Sequence, residues 1–158
     1  DFGIGAAGYP EGHVENPDKD DDRKRLHEKI AAGAEFIVTQ FFLDNTHFLH
    51  WRDQLHKEGV SVPLVAGILP PANWNAMSRL SDMCGVSIPE KLAQALIKHE
   101  SDPEVSKIIG FEHVEKQIEE LLQEGVEGLH LYALNSLETV DRLGPKLKEY
   151  SGLNHLPR

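Results

Sequence analysis

The sequence predicts an α/β fold built on a parallel sheet, and three observations carry that reading. Four short segments, "FGIGAAGY" (2–9), "EFIVTQFF" (35–42), "VPLVAGILP" (62–70) and "GLHLYALN" (128–135), are near-continuous apolar runs of the kind found in strands covered on both faces. Segments with helical periodicity separate them. The first three recur at about the 30-residue interval of a βα unit, and the last interval is about double that.

Each helix has its own signal. In "DDDRKRLHEKIAAGA" (20–34) Leu26 and Ile30 are spaced i, i+4, and Gly33 closes the segment. "NTHFLHWRDQLHKEG" (45–59) places Phe48, Trp51 and Leu55 on one face and ends at Gly59. "NWNAMSRLSDM" (73–83) and "PEKLAQALIKH" (89–99) read as shorter helices, the second with Pro89 near its first turn. "EHVEKQIEELLQEG" (112–125) carries Val114, Ile118, Leu121 and Leu122 and ends at Gly125. "NSLETVDRLGPKLKEY" (135–150) opens with Asn135 as N-cap and Glu138 three residues on, a pair resembling a capping box. The predicted order is β-α-β-α-β-α-α-α-β-α.

Composition narrows the function classes. The 158 residues suffice for one domain (1–158) with a real core. With 16 Lys and Arg against 26 Asp and Glu, the net charge is −10, which argues against nucleic acid and anionic lipid as partners. No apolar run approaches the roughly 20 residues of a membrane span, and no signal peptide is visible. The lone Cys84 excludes an internal disulfide and suits a reducing, cytoplasmic setting. The chain opens at Asp1, almost inside a strand-like run, so it is expected to be a piece of a longer protein.

Gly3, Gly5 and Gly8 spell G-x-G-x-x-G, the dinucleotide-binding fingerprint. The context fails it. That turn needs a strand before it, a helix directly after it and an acidic residue about 20 positions on, at the end of the next strand. Only Asp1 and Phe2 precede it here, Pro10 holds Tyr9 out of helical geometry, and the right distance falls inside the first helix. The small residues instead thin a strand so that something bulky can approach.

Parallel βα proteins carry their sites at the C-terminal ends of strands, and those ends are polar here. The first is Tyr9-Pro10-Glu11-Gly12-His13, the second Thr39-Gln40, the third Pro70-Pro71, the fourth Tyr132 to Asn135. By strand alternation Gln40 shares a face with Phe36 and Val38, and Tyr132 with His130 and Leu134. If those faces meet, Gln40 offers a donor and an acceptor beside the flat ring of Tyr132, which suits a planar, hydrogen-bonding ligand. His47 and His50 have metal-like i, i+3 spacing but no accompanying carboxylate or cysteine framework; they read as surface residues, and no metal is expected.

In order and spacing, "AAGYPEGHVE", "KIAAGAEFIVTQFFLD", "VPLVAGILP" and "GLHLYALN" resemble the methylenetetrahydrofolate reductase family, essentially from end to end of the chain. The resemblance implies a (β/α)8 TIM barrel of which this chain supplies about the last four βα units. It implies an FAD-dependent oxidoreductase of one-carbon and methionine metabolism that reduces 5,10-methylenetetrahydrofolate to 5-methyltetrahydrofolate with NADH or NADPH. Carried over residue by residue, Tyr9, His13, Asp22 and Lys29 are flavin contacts, and Gln40 and Tyr132 are folate contacts. Arg25, on the 22–25–29 stripe, is expected to add a second cation to the cofactor-binding set. The family's acidic catalytic residue lies on an early strand outside this chain. A half barrel leaves two strand edges and an apolar face uncovered, so association is expected, and a homo-oligomer when complete.

Departures from the family pattern are specific. Ala66 stands where Pro is common, Ala76 and Leu80 where a Gln and a Phe can occur, Ala133 within the last strand motif, and Ser136 where an Arg can follow it. Without that guanidinium the folate's glutamate tail lacks a bidentate partner. Two alternatives therefore stand beside the reductase. One is a non-enzymatic flavin- or folate-binding half-barrel; the other is a related reductase acting on another one-carbon carrier.

Overall fold

The computed structural model describes residues 2–16 and 18–150, with side chains to 148. Residues 1, 17 and 151–158, which the single-domain reading includes, lie outside the described residues. The elements are β1 (Gly5–Gly8), α1 (Lys19–Ala31), β2 (Phe36–Phe41), α2 (Asn45–Lys57), β3 (Leu64–Ile68), α3 (Trp74–Cys84), α4 (Glu90–Lys98), α5 (Pro103–Gln123), β4 (Gly128–Leu131) and α6 (Leu137–Tyr150). This is the order read from the sequence. The strands form one parallel sheet in the order β1-β2-β3-β4.

Local chemistry sets the helix starts. Asp18 accepts from the amides of Asp20 and Asp21, Asp44 from Thr46, Asn73 from Ala76, and Asp102 from Val105. Each short polar side chain satisfies a donor that the first helical turn leaves orphaned. Gly33, Gly59 and Gly125 each follow directly on a helix C-cap, as their positions in the sequence predict.

The core lies between one face of the sheet and the helices. Ile37, Leu64, Ala66 and Ile68 point into it, against Phe48, Trp51 and Leu55 of α2 and Phe111, Val114, Ile118 and Leu121 of α5. Phe42 stacks on Phe48 with ring centroids 5.2 Å apart. A second cluster around Phe41, Leu69, Met77, Leu92 and Leu96 seats α3 and α4 beyond the strand ends. No helix among the described residues is long and apolar enough to cross a membrane.

The strands are shorter than the sequence reading, β1 beginning at Gly5 and not Phe2, and three further differences have a visible cause. The last strand ends at Leu131, with one further bond from the Tyr132 amide to the Ile68 carbonyl, because Leu134 and Asn135 adopt left-handed backbone at φ 47° and 63°. Asn135 is consequently not the N-cap of α6: the Thr139 amide is held by Ser136 Oγ at 3.1 Å. Helix α5 begins at Pro103 rather than near 112. Gly110 masks the continuity in the sequence, yet it is required there, since a Cβ at that position would collide with the Pro71 carbonyl.

Candidate functional site

Among the described residues no helix packs on the opposite face of the sheet. It carries Phe36, Val38 and Gln40 from β2, Val65 from β3, and His130 with Tyr132 at β4, between small residues of the neighbouring strands. Gly5 and Ala7 are exposed and add no bulk beside β1. Since all four strands run the same way, Tyr9, Gln40, Pro70 and Tyr132 arrive at one end of this face.

At that end the first βα unit gathers four functional groups. A bond from the Gly12 amide to the Tyr9 carbonyl (3.0 Å) closes a β-turn with Pro10 at its second position, the place where a fixed φ favours the turn. The turn brings His13 edge-on to Tyr9, with ring centroids 4.6 Å apart. His13 Nδ1 accepts from the Glu15 amide at 3.2 Å, so a neutral ring carries its proton on Nε2 as a donor. Lys29, on α1, places Nζ 5.5 Å from the Tyr9 ring centroid and donates to the Ala7 carbonyl at 2.9 Å. Ile4 gives its carbonyl to Glu35 on the β2 side, so Ala7, three residues on, turns its own carbonyl to the outer edge of β1, where Lys29 takes it.

Asp22 completes the group. Burial raises its carboxyl pKa, and the charges of Lys29 and His13 oppose that rise. The Tyr9 phenol is also raised, chiefly by burial and then by Asp22 and Cys84. Donors for a phosphate and an acceptor for a hydroxyl are thus held within electrostatic reach of one another. This set fits a nucleotide cofactor with a polyol and a pyrophosphate.

The second half of the site rests on an irregularity. The β2–β3 register shifts between Val38 and Phe41. There the fully buried Thr39 takes the Gly67 amide on its Oγ1 at 2.9 Å, and its carbonyl accepts from the Tyr132 hydroxyl at 3.0 Å. Bulges of this kind re-aim neighbouring side chains. Gln40, next in the chain, keeps to the open face and folds its Oε1 back onto the Phe41 amide (3.0 Å), leaving its NH2 as donor. Only glycine fits at 67, because a Cβ would strike the Thr39 carbonyl and the Tyr132 ring. Tyr132 has its phenol raised by burial, then by Tyr9 and Cys84, which places both tyrosines and the thiol around one mouth. His130 stands edge-on to Tyr132 at 4.5 Å.

Two cavities flank the mouth. One of about 500 Å³, between α1 and α2, is lined by Tyr9, Asp22, Arg23, His47, His50 and Trp51 among others. The other, about 210 Å³, lies past β3 and β4 against Pro70, Lys107, Tyr132, Ser136 and Glu138.

Tyr9, His13, Asp22 and Lys29 therefore come together, and Gln40 shares a face with Tyr132. Arg25 does not join them. Its guanidinium pairs with Asp21 at 3.6 Å and Glu28 at 3.3 Å, with the side chain 61% exposed. At about 100° per residue, position 29 returns to within about 20° of 22, whereas 25 stands about 60° away. Arg23, not Arg25, reaches the cavity wall. His47 and His50, read from the sequence as surface residues, line that same wall. Among the described residues no group of three or more His, Cys, Asp or Glu is placed to hold a metal ion. Thr39 is the site residue that sequence reasoning passed over; the only signal was its place before Gln40 at a strand end.

The chain is also similar to known proteins. The family model for methylenetetrahydrofolate reductase matches residues 1–147. "Methylenetetrahydrofolate reductase 1" of Schizosaccharomyces pombe is 35% identical over 148 residues, covering 91% of this chain and 24% of that protein. "5,10-methylenetetrahydrofolate reductase" of Escherichia coli is 36% identical over 138 residues, covering 87% and 47%. The chain belongs to the methylenetetrahydrofolate reductase family. It spans about a quarter of the S. pombe family member and just under half of the E. coli one. A solved structure with TM-score 0.58 and 19% identity, covering 96% of this chain and 54% of its own, shares the fold; it is an uncharacterized protein from Clostridium thermocellum that binds two copies of 5-methyl-5,6,7,8-tetrahydrofolic acid.

Proposed function

We propose that this chain forms the second half of an FAD-dependent (β/α)8 barrel that reduces 5,10-methylenetetrahydrofolate to 5-methyltetrahydrofolate with a nicotinamide donor. The single observation behind this reading is the convergence of Tyr9, His13, Asp22 and Lys29 at the strand end where Gln40 and Tyr132 also open. Four more βα units would close the sheet from the free edge of β1 to that of β4 and turn its open face into a barrel interior.

When bound, FAD supplies the hydride relay between nicotinamide and folate. The residues of this chain bind and orient. Lys29 neutralises pyrophosphate charge, His13 donates from Nε2, Asp22 accepts from a hydroxyl, and Tyr9 packs its ring along the cofactor. Gln40 reads the amide edge of the pterin with its NH2 group, beside the Tyr132 ring. Ser136 is spent on capping α6, so in the cavity beside Tyr132 the cation assigned to the substrate's carboxylate tail is Lys107, which exchanges its partners Glu104 and Glu138 for the ligand.

The test is made on the complete protein, purified and examined for flavin absorbance, NADH–menadione reduction and folate reduction. The expected result is a yellow protein whose FAD affinity falls about tenfold in Lys29→Met, the worth of one charge-assisted contact, with reductase turnover lost in the 158-residue chain alone. A colourless protein with no flavin affinity refutes the reading.

A further inference from the structure

Glu11, inside the Tyr9–His13 turn, has a side chain only 10% exposed. Its Oε2 accepts from the Ser87 amide at 3.1 Å and from the Ser87 hydroxyl, and His47 Nε2 stands 3.5 Å from the same oxygen. His47 Nε2 is also 3.1 Å from Ser87 Oγ. The other carboxylate oxygen, Oε1, is buried and has no hydrogen-bond partner among the described residues. These contacts join three elements distant in sequence: the turn after β1, the first turn of α2, and the α3–α4 connection, whose Gly85 also lies against Val14 of the β1–α1 loop.

Proton counting fixes the roles. Serine has one hydroxyl proton, and it is donated in the hydrogen bond to Glu11 Oε2, so His47 is the donor toward Ser87 and carries a proton on Nε2. A nucleophilic triad would have the carboxylate on the histidine and the serine hydroxyl donating to the imidazole; here the serine hydroxyl donates to the carboxylate, so the cluster holds rather than attacks. A buried acceptor left unsatisfied is costly, and it persists where surrounding contacts determine its position.

We propose that Glu11 is a positioning residue for the cofactor-facing turn: its buried carboxylate, clasped by Ser87 and His47, sets the geometry in which Tyr9 and His13 meet their ligand. Its effect on affinity rests on the FAD reading above; its effect on the turn does not. The experiment therefore has two arms, both on the complete protein. In the first, FAD dissociation constants are measured for wild type, Glu11→Gln, Ser87→Ala, Ser87→Thr, His13→Ala and the double variant Glu11→Gln/His13→Ala. Glu11→Gln and Ser87→Ala each weaken FAD roughly tenfold, the difference between a charge-assisted and a neutral contact, and Ser87→Thr restores affinity. In the His13→Ala background Glu11→Gln costs less than about threefold, because the residue acts through the turn.

In the second arm, hydrogen exchange of the Gly12 amide, which closes the turn onto Tyr9, is compared without cofactor; Glu11→Gln speeds it about tenfold. Unchanged exchange overturns the proposal whether or not FAD binds. So does wild-type affinity in Glu11→Gln, or an equal loss in both His13 backgrounds, the mark of general destabilisation. Faster exchange in a protein that binds no FAD leaves the clasp standing and refutes the flavin reading alone.

Discussion

On the helix side of the sheet Ile37, Leu64, Ala66 and Ile68 are at most 1% exposed, packed against the aromatic rings of α2 and the aliphatic stripe of α5. On the other side the same strands present Phe36, Val38 and Val65 half-buried, Gln40 and Tyr132 with polar tips, and His130 exposed. The first face is finished by the helix that follows each strand, so a short piece of chain completes it. Among the described residues no helix covers the second, which is left for groups that come from elsewhere, whether a ligand or further strands. Residues on the first face are therefore chosen for volume, and those on the second for what they leave open.

The largest effect that would break this contrast is at Phe48. It is fully buried and stacked on Phe42, so Phe48→Ala should cost about 3–5 kcal/mol in urea unfolding. Thr39 joins the two faces and comes next. Thr39→Val orphans the buried Gly67 amide and should cost about 1–3 kcal/mol, whereas Thr39→Ser, which keeps the oxygen, should stay close to wild type.

His113 sharpens the comparison through pH. Burial lowers its pKa below the ordinary 6.5, although its bond to the Leu43 carbonyl opposes the shift. The unfolded chain then binds the proton more tightly than the folded one, so this contribution to stability is complete above 6.5 and declines as pH falls through that value toward the lower folded pKa. Unfolding midpoints measured down that range should fall less steeply in His113→Gln. The smallest effect is on the open face: Val38→Ala should cost less than about 1 kcal/mol in this chain. A loss matching Phe48→Ala would mean that the open face is already packed.

Much of the fold was legible because its causes are local. Phe48, Trp51 and Leu55 repeat at helical spacing and are all buried, and the same holds for Val114, Ile118 and Leu121. The grouping at the candidate site was legible where its residues share one turn and the helix after it, as Tyr9, His13, Asp22 and Lys29 do. It was less so where a contact crosses the fold. Arg25 shows the limit of helical spacing, since an i+3 step leaves the stripe by enough to hand its charge to Asp21 and Glu28. Asn135 shows the limit of capping patterns, because left-handed backbone moved the cap to Ser136.

By itself the sequence determined the order of strands and helices, the parallel sheet and the end of it where polar side chains gather, since apolar periodicity, caps and strand-end polarity act within a few residues. Only the tertiary structure decided that Thr39 bridges β3 and Tyr132, that Gly110 lets α5 pass Pro71, and that Glu11 reaches Ser87 and His47. Those contacts join residues far apart in the chain, and their geometry exists only after the core has fixed the distance between the elements that bear them.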